Sequence, residues 1–126
     1  MGIGGTVRAL ERADESADKG WYAGPWNSGL PVSVGYANAG LDEPHVHSRV
    51  RETYLVARGT SALRVERETV ELSAGDVIIL ESGKAHTFLQ SSPDYFHFVV
   101  HVPGLAGEAA GAEKTAVPRG RLGIAP

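Results

Sequence analysis

His45, His47, Glu52 and His86 are the residues of this chain whose types and spacing can do chemistry. His45 and His47 form an i, i+2 pair. On a strand this puts both imidazoles on one face, with Cα atoms about 7 Å apart. Two rings at that separation can converge on one metal ion. Glu52 opens the run Glu-Thr-Tyr-Leu-Val-Ala, rich in residues that strands favour. A carboxylate at the head of a run bound for the core needs a partner, because an unpaired buried charge is costly. A metal held by the two histidines would be such a partner. Further on, Gly75 to His86 reads as a turn, a short apolar strand, a second turn and a histidine. Three neutral imidazoles and one carboxylate make a mixed nitrogen and oxygen set. It suits Fe(II), Mn(II), Ni(II), Zn(II) or Cu(II).

The elements that must position these ligands are short strands. Val32, Val34 and Tyr36 alternate with Ser33 and Gly35, which is the period of a strand. Ser61–Val65 and Thr69–Leu72 flank the polar tip Glu66-Arg67-Glu68. Val77–Leu80 reads as a buried strand, His86 begins another, and Tyr95–Val102 is the last clear one. Repeated short strands with frequent turns argue an all-β barrel or sandwich. Thr6–Leu10 reads as a first short strand or an arm packing on a neighbour, and Glu11–Gly20 as a charged, solvated loop. Trp21–Trp26 is a dense aromatic patch that reads as packing plugging a barrel end, with a pocket lid as the alternative. After Pro103 the composition shifts to Gly, Ala and Pro, and no apolar period survives. The expected division is an N-terminal arm and loop over 1–29, a barrel over 30–103, and a tail over 104–126 along the barrel or a partner.

The totals exclude several classes. At 126 residues the chain makes one domain with a real core. A net charge of −3 offers no electrostatic case for nucleic acid or an anionic membrane. With no cysteine there is no disulfide, thiolate ligand or thiol nucleophile. No apolar stretch is long enough to span a membrane, and Met1–Arg8 lacks the apolar centre of a secretory signal. The expected location is cytoplasmic.

The two ligand-bearing stretches resemble the two signature motifs of the cupin superfamily. The first motif matches at Gly40, His45-Val46-His47, then four residues to Glu52 and six more to Gly59, with a leading gap of four where five is usual. The second matches at Gly75, Gly83 and His86, with Glu81 in the usual place of proline and Gln90 in that of asparagine. The resemblance implies a double-stranded β-helix, or jelly-roll barrel, with one divalent metal inside it on His45, His47, Glu52 and His86. It also implies a homodimer, as for other single-domain cupins.

Strand parity from the ligands nominates Tyr54, Phe88 and Gln90 as pocket wall, with Tyr36 joining if its strand is in register. Arg64 interrupts Leu63 and Val65 and is the candidate anion clamp. Arg49 and Arg51 read as solvated turn residues. His97 and His101 share a face of the last strand and read as surface or interface histidines, with a base beside the metal site as the alternative. No catalytic side chain is assigned. With no proton-transfer pair assured in the pocket, the favoured activity is a mononuclear non-haem iron dioxygenase acting on a small organic molecule. The alternatives are a metal-assisted isomerase, cyclase or lyase of a sugar- or polyketide-like substrate, and a non-catalytic binding barrel.

Overall fold

The computed structural model describes residues 19–126. The expected strand or arm at Thr6–Leu10 lies outside them, as does most of Glu11–Gly20. Ten strands are described: β1 (Lys19–Ala23), β2 (Ser33–Ala37), β3 (His45–His47), β4 (Arg51–Arg58), β5 (Thr60–Val65), β6 (Glu68–Ser73), β7 (Val77–Leu80), β8 (His86–Ser91), β9 (Phe96–Val102) and β10 (Lys114–Ala116). A single helical turn, α1 (Pro25–Ser28), follows β1, and helix α2 (Gly107–Glu113) precedes β10. The strands form two five-stranded antiparallel sheets, ordered β1-β2-β9-β4-β7 and β10-β3-β8-β5-β6. This is the double-stranded β-helix barrel.

β4 shows how sequence makes the element. Glu52, Tyr54 and Val56 are buried on one face, while Thr53 and Leu55 turn to the other. Tyr54 and Val56 join Leu63, Leu72, Leu80, Phe88, Tyr95 and Val99 in a core between the sheets. Fully burying a side chain such as Leu63 contributes roughly 1.5–3 kcal/mol. The β5–β6 hairpin turns at Glu66-Arg67, as its polar tip predicts.

Three expectations change. Val77–Leu80 is an edge strand rather than a buried one: Val77 is 59% and Ile79 64% exposed, and only Leu80 is fully inside. An apolar run cannot say by itself whether its second face is covered. Tyr36 lies on the outer face of its sheet, because β2 turns Ser33, Gly35 and Ala37 inward. Its ring stacks on Tyr22 and on Phe96, within a second apolar cluster that includes Phe98. Tyr36 still borders the cavity described below. Gln90 is exposed. Phe88 pairs with Leu63 but Gln90 pairs with Ala62, so Leu89 is the extra residue of a β-bulge. A bulge reverses the inward and outward parity beyond it.

The segment after Pro103 folds against the barrel without an apolar stripe. β10 extends the second sheet beside β3, with Lys114 opposite His47 and Ala116 opposite His45. A 3-10 turn, Arg119–Leu122, buries Leu122 completely. Charged and backbone contacts fasten it: Arg119 to Asp42 at 2.6 Å, and Arg121 to Glu66 at 2.9 Å. Arg64 Nε donates to the Leu122 carbonyl at 2.8 Å, and Nη1 to Thr69 Oγ1 at 2.9 Å. Arg64 therefore anchors the C-terminal turn instead of clamping an anion inside the barrel.

Candidate metal centre

β3, β4 and β8 bring the four expected ligands together. His45 sits opposite His86 in the β3–β8 ladder, and His47 follows two residues along β3 on the same face. Gly83 (φ 84°) takes the left-handed turn that a glycine adopts readily, and its N–H donates to the His47 carbonyl at 2.7 Å. That bond fastens the loop leading into His86. The candidate ligand atoms of His45, His47, Glu52 and His86 all lie within 4.8 Å of one another.

Each imidazole is oriented by its other nitrogen. His45 Nδ1–H donates to the Glu43 carbonyl at 2.6 Å, and His86 Nδ1–H to the Lys84 carbonyl at 3.0 Å. His47 Nδ1–H donates to the Glu113 carboxylate. In each ring Nε2 is left to face the cluster, the arrangement that holds metal-binding histidines in one tautomer. Glu52 Oε2 accepts from Tyr54 Oη at 2.9 Å and from His101 Nε2 at 2.8 Å. Glu52 Oε1 points at His47 Nε2 (3.1 Å) and His86 Nε2 (2.9 Å), yet it is buried and makes no hydrogen bond. An orphaned carboxylate oxygen facing two ring nitrogens is what a shared cation would satisfy. The residues present fit a divalent metal.

The electrostatics hold His45 neutral and Glu52 ionised, as ligands must be. Burial, helped by the charge of His86, lowers His45 to about 4. At neutral pH it is therefore an uncharged imidazole. Burial alone would lower His47, but the Glu52 carboxylate facing its Nε2 and the Glu113 carboxylate on its Nδ1 outweigh that and raise it. Burial alone would raise Glu52, but the His101 hydrogen bond and the His47 and His86 rings facing its other oxygen hold it well below the usual carboxylate range. Burial and the neighbouring Glu52 charge push the Tyr54 hydroxyl well above its ordinary value.

The cluster opens into a cavity of about 700 Å³. Tyr54, Phe88 and Tyr36 border it among the expected wall residues, and Arg64 and Gln90 do not. Arg51 pairs with Glu81 at 2.7 Å on the exposed surface, as a solvated turn residue should. Trp21 and Trp26 line the mouth at 47% and 50% exposure, which corrects the reading of this patch as a barrel plug.

Three further side chains stand at the cluster or its cavity that the sequence did not place there. His97 and His101 line the cavity and are not surface histidines. His97 Nδ1 is 2.7 Å from Tyr95 Oη, and its burial lowers it to about 4. The apolar alternation of Phe96, Phe98 and Val100 draws attention to the outward face of β9. Two histidines at i, i+4 on a strand beside a histidine cluster were the available signal. Glu113 is buried on His47, and its Oε2 also accepts from the Val50 N–H at 3.2 Å. Nothing in its Gly- and Ala-rich surroundings announces it.

A two-sheet barrel with such a cluster between its sheets defines a class, and the sequence assigns the family. The cupin-domain family matches over residues 34–102, more than half of the chain, and the chain belongs to that family. No curated protein matches it. Solved structures share the fold. Pac13, a nucleoside dehydratase, from Streptomyces, is 15% identical with a TM-score of 0.62, over 79% of this chain and 85% of that one. KdgF from Halomonas is 21% identical with a TM-score of 0.58, over 69% of this chain and 80% of that one. A chain from the structures of the DMSP lyases RdDddP and RnDddQII is 24% identical with a TM-score of 0.56, over 79% of this chain and 53% of that one.

Proposed function

We propose that this cupin is a metal-dependent enzyme that moves protons on a small organic molecule, as a lyase, dehydratase or isomerase. One observation carries the reading. The Tyr54 hydroxyl stands at the edge of the ligand cluster, 2.9 Å from Glu52 Oε2 and 3.5 Å from His86 Nε2, and Tyr54 lines the cavity. The His97 ring lies beside it, centroids 4.8 Å apart. The case for a dioxygenase leaned on a pocket without a proton-transfer pair, and this pocket holds a candidate pair.

A divalent ion on His45, His47, Glu52 and His86 would supply Lewis-acid polarisation of a substrate oxygen. The remaining roles belong to the chain. Tyr54 Oη holds a proton at neutral pH, as phenols do, and can deliver it to a departing or developing oxygen. Glu52 Oε2 and His101 keep that hydroxyl aimed. His97, an uncharged imidazole braced by Tyr95, can take a proton from the neighbouring carbon. Phe88 and Val99 keep the floor dry, which strengthens every polar contact in the site. A dehydratase and lyases among the fold's neighbours illustrate such eliminations in this barrel, although at their identities only the fold is carried over.

The test separates this reading from the iron dioxygenase. Protein loaded with Zn(II) or Mn(II) should turn over candidate hydroxy acids and sugar-like substrates without oxygen. Tyr54→Phe should keep its metal and lose about 10²- to 10⁴-fold in kcat. Turnover that needs both iron and oxygen, with Tyr54→Phe unimpaired, would return the assignment to a dioxygenase. Tight ligand binding with no turnover under any metal would leave a binding barrel.

A further inference from the structure

We infer that the cavity takes a small organic monoanion with a flat ring, the ring lying on Trp21 and a polar substituent reaching Ser33. This rests on the metal reading above and adds a substrate class to it. Ser33 is 2% exposed and lines the cavity, and its Oγ has no hydrogen-bond partner among the described residues. A buried hydroxyl left unsatisfied is costly, so a ligand or an ordered water must complete it. Ser33 sits opposite His101 in the β2–β9 ladder, and His101 Nε2 reaches Glu52 Oε2 at 2.8 Å. The orphaned hydroxyl is thus one side chain removed from the ligand cluster.

Trp21 supplies the flat surface. It lies opposite Gly35 in the β1–β2 ladder, and a Cβ on Gly35 would come within 2.7 Å of Trp21 Cε3. Gly35 is on the inward face of β2, so its missing side chain is what lets the indole lie there. The indole meets His101 edge-on at 4.7 Å. Despite these contacts Trp21 remains half exposed at the mouth, where an indole offers a planar ring an offset-stacked or edge-on contact. Trp21, His101 and Ser33 form one continuous wall, apolar at the mouth and hydrogen-bonding within.

The charge follows from the lining. Lys19 and Lys114 both approach Glu43 Oε2, at 3.8 and 3.9 Å. Glu52 and Glu113 are the other two carboxylates of the cavity. Two lysines and a divalent ion against three carboxylates leave one net positive charge, with the histidines neutral. Without the ion the lining loses two positive charges. An anion therefore suits the loaded protein better than the metal-free one.

The experiment uses the full chain carrying Trp26→Phe. The chain has two tryptophans, so emission then reports on Trp21 alone. Zn(II)-loaded protein is titrated with benzoate and, separately, with benzyl alcohol. Benzoate should change the emission saturably and bind about tenfold or more tighter than the alcohol, and removing zinc should abolish the preference. Adding Ser33→Ala should weaken benzoate roughly 2- to 10-fold. Equal affinity for acid and alcohol in the zinc-loaded protein, or benzoate binding untouched by Ser33→Ala with Trp21 emission unmoved, overturns this inference alone. A protein that takes up no zinc by elemental analysis overturns the metal reading and this inference with it.

Discussion

Glu52 divides its work between two oxygens. Oε2 is held by Tyr54 and His101, while Oε1 faces the ring nitrogens of His47 and His86 without a hydrogen bond. In a purely structural ion-pair cluster both oxygens would be satisfied by donors. Here the unsatisfied oxygen is the one a cation would claim. The expected outcome is that alanine at His45, His47, Glu52 or His86 lowers metal occupancy sharply and that the His45→Ala/His47→Ala pair abolishes it. Elemental analysis after purification without added metal checks this. Full occupancy in the double variant would sink the assignment. The mixed donor set suits several divalent ions, iron among them.

At the scale of elements, the site depends on a segment outside the two motifs. β10 pairs with β3, and the end of α2 sets Glu113 against His47. A carboxylate on the far nitrogen fixes the tautomer and raises the basicity of a ligating histidine. Glu113→Gln should keep the fold and weaken metal binding about 10- to 100-fold, measured by competition with a chromogenic chelator. Unchanged affinity with a lower Tm would make Glu113 a fastener of the tail only. The 3-10 turn has its own pH signature. Glu66 is lowered from 4.5 by its bond from Arg121, and further by the Ala85 N–H. A depressed folded-state value stabilises above the unfolded value and is lost as pH falls through the folded one. Arg121→Ala should therefore cost stability at pH 7 and little at pH 2, by urea unfolding at each pH. A constant difference would show that packing, not charge, is what Arg121 supplies.

At the scale of the whole molecule, the described residues leave one sheet incompletely covered. The outward face of β9, β4 and β7 carries Val102, Val77 and Ile79, at 47%, 59% and 64% exposure. Pairing of Arg51 with Val102, Leu55 with Val77 and Thr53 with Ile79 places them on that one face. Exposed apolar side chains on a sheet face are a common docking surface, and the exposed Arg51–Glu81 pair lies beside these three. The homodimer implied by the family resemblance is proposed to use this face. Light scattering should show twice the 13.3 kDa chain mass at micromolar concentration, and Ile79→Lys should return it to the monomer. A wild-type chain that scatters only as a monomer would remove the proposal. Among the described residues, no helix is long and apolar enough to cross a membrane.

Local pattern in the sequence was enough for an all-β barrel or sandwich, and the family resemblance chose the double-stranded β-helix and gathered His45, His47, Glu52 and His86 into one cluster. Spacing on strands is a local property, and period-2 parity carries each side chain to a face. That logic also placed Tyr54 and Phe88 inside. It failed where a non-local event intervened. The bulge at Leu89 turned Gln90 out, and the packing of β9 left His97 and His101 inside. Arg64 was captured by a carbonyl 58 residues away. Glu113 reached His47 across 66 residues from a stretch with no pattern to read. Periodicity reports which face a residue shares with its near neighbours. Only the packed sheets decide which face is the inside, and which distant chain comes to meet it.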